Sequence, residues 1–120
     1  MTSVMSLRLP AVLEQTIRAN AAESDMSAAE VVQWVLEHAL GSQYSFSALP
    51  DPRRVLDAKL DIRLPAELVG RIRAESLRLG VSTSVYSRVV LFAYYTKRLI
   101  VIQTGGRYTL AENHEQKKSA

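Results

Sequence analysis

Val4, Ser6 and Arg8 in one short segment, and Lys59, Asp61 and Arg63 in another, stand at every second position between Met5, Leu7 and Leu9 or Leu60, Ile62 and Leu64. A period of two sends alternate residues to opposite faces of a strand, so the mostly polar set shares one surface. Arginine and lysine can bond guanine O6 and N7, aspartate can accept from cytosine N4, and serine suits several base edges. The competing reading is the ordinary wet face of a hairpin, which a single alternating strand would favour. Neither reading is catalytic. Two histidines, His38 and His114, and scattered Ser and Asp residues form no spaced nucleophile and base, so no enzyme is expected. The chain has no cysteine, and two histidines are too few for a metal cage, so neither metal nor cofactor is expected.

The elements that would position these residues come from a repeat. Ser6 to Ala19 (SLRLPAVLEQTIRA) aligns without gaps on Asp61 to Ala74 (DIRLPAELVGRIRA), an offset that also places Ser27 on Ser82, Val35 on Val90 and Leu36 on Leu91. In each copy the alternating run stops at a proline, Pro10 or Pro65, which suits the first turn of a helix because its missing N–H costs nothing there. The first helix would turn Leu13, Ile17 and Ala21, or Leu68, Ile72 and Ser76, inward, and end near Asp25 or Gly80. Ser27 and Ser82 then read as N-caps of second helices expected over 28–40 and 83–99, with Glu30 completing a capping-box pattern in the first copy only. Trp34, Tyr86, Phe92, Tyr94 and Tyr95 fall at helical spacings on those helices and read as packing, not as base-stacking platforms.

The expected organisation is one domain over 1–120: a first unit at 4–40, a linker at 41–58, a second unit at 59–99, a hairpin at 100–110 turning at Gly105-Gly106, and a flexible polar tail at 111–120. Gly105-Gly106 reads as a turn and not a phosphate loop. A lone six-residue strand is unstable, and each copy offers the other a partner. Antiparallel pairing would make a mainly α fold with a short two-stranded β-ribbon, its apolar side on four helices.

Net charge is +3, unevenly spread: residues 1–55 carry four Lys/Arg against six acids, and residues 56–120 carry eleven against six. Such a balance suits a nucleic-acid binder without requiring one. Arg53 and Arg54 in the linker could touch phosphates, although solvated arginines are the commoner outcome. No run reaches the roughly 18 apolar residues of a membrane helix, and the N-terminus lacks the pattern of a secretory signal, so a cytoplasmic protein without membrane partners is expected.

The segment KLDIRLPAEL, followed by RLGVSTSVYSRVVLFAY, resembles the ribbon-helix-helix family of CopG, Arc and MetJ. The resemblance implies an intramolecular pseudodimer that binds double-stranded DNA, its strands paired with Ser6 opposite Asp61, Arg8 opposite Lys59 and Val4 opposite Arg63. The linker, by holding the second half at high effective concentration, would make the folded unit a monomer. The resemblance assigns base reading to Ser6, Arg8, Lys59, Asp61 and Arg63, and phosphate binding by free helix N–H groups to Ser27, Ala28, Ser82 and Thr83. Two departures stand in the first unit: Asp25 replaces the usual turn glycine, and Val4 occupies an outer ribbon position. The first unit is therefore expected to be the weaker reader, and Asp61 has a second reading, neutralising Arg8 or Arg63 across the ribbon. The tandem architecture resembles TraY of conjugative plasmids and the overdrive-binding accessory protein of T-DNA transfer. This implies a non-catalytic accessory of DNA processing, with a relaxase or similar protein as a further partner. Repression of its own region is the alternative with the same mechanism, and an antitoxin-type protein-binding module is the more distant one.

Overall fold

The computed structural model describes residues 1–42, 44–52 and 55–113. Arg53, Arg54, His114 and the remainder of the expected tail lie outside the described residues. The described residues form four helices and two small antiparallel two-stranded sheets. Strand β1 (Thr2–Leu9) leads to helices α1 (Ala11–Glu23) and α2 (Ala28–Ala39). After a short 3-10 turn at Phe46–Ala48, strand β2 (Ala58–Pro65) leads to α3 (Ala66–Leu79) and α4 (Thr83–Tyr95), and the hairpin β3 (Leu99–Thr104) and β4 (Arg107–Glu112) follows.

β1 pairs with β2 in the register that the family resemblance implied, with Ser6 opposite Asp61, Arg8 opposite Lys59 and Val4 opposite Arg63; pairing also runs outward to Thr2–Pro65 and Leu9–Ala58. Met5, Leu7, Leu9, Leu60, Ile62 and Leu64 are all buried, in one cluster with Leu13 and Ile17 of α1, Val32, Val35 and Leu36 of α2, Leu68 and Ile72 of α3, and Val90 and Leu91 of α4. A one-residue slip would turn the whole apolar set to solvent, so burial fixes the register. Ser76 meets the same demand as a polar residue: it is buried, and its hydroxyl donates to the Ile72 carbonyl at 2.7 Å.

Three helices end alike. Asp25, Gly80 and Lys97 adopt left-handed backbone (φ 55°, 74° and 62°), and the N–H of the residue after each bonds the carbonyl five residues back: Met26 to Ala21, Val81 to Ser76, Arg98 to Ala93. Asp25 thus does the work of Gly80 at the equivalent place, in a conformation that aspartate tolerates better than most side chains. The third ending corrects the helix expected over 83–99. No glycine announces Lys97, yet α4 stops at Tyr95 because the turn drops Leu99 into the core, where it is 1% exposed and opens β3. Gly105 and Gly106 both have positive φ, the turn a two-residue hairpin favours. The flexible tail expected from residue 111 does not start there, since Ala111 and Glu112 continue β4 and the Glu112 carboxylate accepts from the Ser45 N–H.

The segment read as a linker is pinned at several points. The Asp57 carboxylate accepts the Ala11 N–H, capping α1 where Pro10 has no side chain to do so, and Phe46 stacks on Tyr86 with ring centroids 5.6 Å apart. Most consequential is Asp51, which takes two bonds from the Arg88 guanidinium (2.7 and 2.9 Å), whose third contact is the Arg8 carbonyl at 3.3 Å. Arg88 is 4% exposed, so this one side chain ties linker, α4 and ribbon together in a dry place. Removing either partner strands a charge away from water. Arg88→Met and Asp51→Ala are each expected to lower unfolding free energy by about 3 kcal/mol, and the double variant by less than their sum. Urea denaturation of the four proteins checks this; losses below about 0.5 kcal/mol, the scale of ordinary surface changes, would refute it.

Candidate nucleic-acid interface

The ribbon's outward face presents Thr2, Val4, Ser6 and Arg8 from β1 and Lys59, Asp61 and Arg63 from β2, all exposed. The structure therefore brings the five sequence-predicted ribbon residues onto one surface, and adds Thr2, missed because the alternating run was read as starting at Val4.

Their bonding separates them into two groups. Ser6 donates to Asp61 at 2.5 Å, directly across the ribbon, and Lys59 lies 3.9 Å from the other Asp61 oxygen on the same strand. The centre of the face is thus internally satisfied, and Asp61 is matched by Ser6 and Lys59 and not by Arg8 or Arg63. Arg8 and Arg63 form no ion pair among the described residues. Arg8 stands opposite Lys59 and Arg63 opposite Val4, four register steps apart, or roughly 13 Å along the ribbon at about 3.3 Å per residue. The face offers two free guanidinium forks flanking a self-bonded serine–aspartate pair.

The second predicted group lies at the N-termini of α2 and α4, and here the copies diverge. Ser27 accepts from the Glu30 N–H (3.1 Å) while the Glu30 carboxylate accepts from the Ser27 N–H (3.0 Å), the reciprocal capping box. Backbone and side-chain bonds from Ser27 hold the Glu30 carboxyl below its ordinary value of 4.5. Ser82 caps α4 in the same way by accepting from Val85 N–H at 3.1 Å, but the residue equivalent to Glu30 is Val85, so no carboxylate answers. The N–H groups of Ser82, Thr83 and Ser84 have no acceptor among the described residues, whereas in the first copy only those of Ala28 and Ala29 remain. Open N–H groups at a positive helix end attract anions, and a resident carboxylate competes with them. Glu30, read from sequence as a cap alone, therefore also sets how open its helix end is.

The aromatic residues pack. Tyr86 is buried with its hydroxyl 3.5 Å from that of Tyr44, and burial drives its phenol far above the ordinary range. Tyr95 donates to Asn20 at 2.7 Å, and Trp34 stacks on His38 with centroids 4.2 Å apart. Among the described residues no cluster of three His, Asp or Glu is placed to hold a metal ion, and no helix is long and apolar enough to cross a membrane. No protein-family model matches the chain, and no curated protein or solved structure shows significant similarity to it.

The capping box carries a pH signature. A depressed carboxyl contributes stability that is present above the unfolded-state value near 4.5 and lost as pH falls through the lower folded value. Thermal midpoints of the wild type should therefore drop on acidification below that point more steeply than those of Glu30→Gln, whose amide keeps the reciprocal bond without a titration. Parallel curves for the two proteins down to acid unfolding would show that Glu30 plays no such part.

Proposed function

We propose that this chain is a single-chain ribbon-helix-helix pseudodimer that binds double-stranded DNA sequence-specifically, laying the β1–β2 ribbon in the major groove. The observation that carries the reading is the exposed outward face of that ribbon, with its two unpaired guanidiniums at opposite ends, backed by an apolar face buried on four helices. A two-stranded ribbon has the width of the major groove, and a guanidinium fork matches guanine O6 and N7. Arg8 and Arg63 are the principal readers, and roughly 13 Å of ribbon between them corresponds to about four base-pair steps. Ser6, Asp61 and Lys59 read bases only by exchanging their mutual bonds for bonds to DNA.

Phosphates are held at the helix N-termini, more strongly at Ser82 and Thr83 of α4 than at Ser27 and Ala28 of α2, where Glu30 occupies the site. The two halves therefore read unequally, and the preferred site is not a perfect palindrome. The tandem form supports a role as a non-catalytic accessory in plasmid or T-DNA processing, working in the cytoplasm beside a DNA-cleaving enzyme.

Site selection from random duplex followed by anisotropy titrations tests this. Affinity is expected to fall with salt by about 0.9 log units per phosphate neutralised, and Arg63→Ala to cost about 1–3 kcal/mol at a bidentate base contact, more than Arg8→Ala. Glu30→Gln should bind more tightly than wild type. Equal affinity of the wild type for selected and scrambled duplex would sink the specific reading, and a symmetric consensus with equal losses from both halves would sink the asymmetry.

A further inference from the structure

The hairpin takes no part in the ribbon. It follows α4 directly, meets α2 and α4, and ends with Glu112 bonded to Ser45 beyond α2. Its two edges are differently placed. The Leu110 N–H points away from β3, because it donates to the Ser42 hydroxyl at 2.9 Å, so the segment after α2 shields the β4 edge. In an antiparallel ladder the two members of a cross-strand pair either both bond inward or both point outward. Leu110 pairs with Val101, so the Val101 N–H and carbonyl point outward on the other edge, as do those of Leu99 and Gln103 by alternation. The Asn113 N–H bond to the Arg98 carbonyl at 2.9 Å fixes the same phase independently. No described residue bonds the outward groups of Val101 or Gln103, both exposed, whereas Leu99 is buried, so the open part of the edge begins after it.

Free edges in isolated proteins are usually guarded by lysine, proline, a bulge or a covering segment. β3 (LIVIQT) has none of these, and Ile100, Val101 and Ile102 are 36–38% exposed. On the Ile100 and Ile102 side the hairpin borders an open groove of about 1130 Å³ that Leu40, Arg71 and Arg107 also line. The acids of that groove, Glu37 and Glu112, already accept from Gln33 and Ser45. The ends of the edge are basic: exposed Lys97 and Arg98 precede β3 and exposed Arg107 follows its turn, none in an ion pair among the described residues.

We propose that the β3 edge takes up an extended segment of a partner protein by strand addition, apolar and β-branched at its centre and acidic at both ends. Main-chain bonds to Val101 and Gln103 give the binding, Ile100 and Ile102 favour apolar side chains on the added strand, and Lys97, Arg98 and Arg107 select its charge. A second copy of this chain fits less well. The symmetric pairing, with Val101 against Val101, would set Arg98 against Thr104, whose own ladder partner is Arg107, and so gather like charges at both ends.

The test uses the full chain and a labelled synthetic peptide of alternating valine and threonine with paired glutamates at each end. The peptide is expected to bind at micromolar concentration, and one with lysines replacing the glutamates at least tenfold more weakly. Val101→Pro removes an outward N–H that the β3–β4 ladder does not use, and should abolish binding. The pair Arg98→Glu with Arg107→Glu leaves the edge backbone intact; it should weaken the acidic peptide at least tenfold and improve the lysine peptide. Thermal midpoints report whether each variant folds, and if Val101→Pro does not, the charge-reversed protein decides alone. Failure of the acidic peptide to bind, or equal binding of both peptides, would overturn the proposal. So would sedimentation showing a wild-type dimer that charge reversal leaves intact, since the edge would then belong to a second copy.

Discussion

A single six- to eight-residue strand leaves backbone donors and acceptors unpaired along both edges, and everything else in this molecule follows from how β1 meets that constraint. Its partner is β2, in the same chain, and the pair buries Leu7, Leu9 and Leu64 completely. Once the strands are paired, their apolar side is a floor that four helices must cover, and the helix lengths, prolines and left-handed endings serve that covering. The polar side is a by-product of the pairing: alternation leaves no choice about which residues it shows, only about their identity. A change that weakened the pairing would remove core and outward face together.

The cross-links confirm how much rests there. Ala66 N–H bonds the Met1 carbonyl, and Ala11 N–H bonds the Asp57 carboxylate, so the first turn of α1 and of α3 is held by the residue just before the other strand. Arg88 then joins α4 to the Arg8 carbonyl and to Asp51. Burying an ion pair is weak evidence for stability, since an apolar substitute of the same size often does as well. What the pair does supply is a definite position for a connecting segment whose regular structure, among the described residues, is one short 3-10 turn.

Much of this was legible because the repeat duplicates its own evidence. Burial of Met5, Leu60 and Ile62, the caps at Ser27 and Ser82 and the first-helix core positions all follow from patterns that appear twice, while the cross-strand register came from the family resemblance. The parts that escaped appear once. Lys97 ends α4 without any local sign, because the reason is the burial of Leu99 two residues later. Asp51 and Arg88 are 37 residues apart, and nothing in either neighbourhood distinguishes them from solvated charges. The bonds among Ser6, Lys59 and Asp61 depend on rotamers, which periodicity does not specify, although their shared face was clear.

Duplication inside one chain also frees the copies from each other. In a symmetric dimer a substitution at one helix end appears at both, so a carboxylate that improves a cap occupies both helix ends at once. Here Glu30 strengthens the cap of α2 while Val85 leaves the end of α4 open, and Asp25 and Gly80 solve the same turn with different charge. The charge balance follows the same division, four basic residues against six acids up to residue 55 and eleven against six beyond it. Each difference is small by itself, yet all of them lower the positive potential of the first half relative to the second. A capping carboxylate and a turn carboxylate stand in one copy and have no counterpart in the other, a division that two identical chains cannot make.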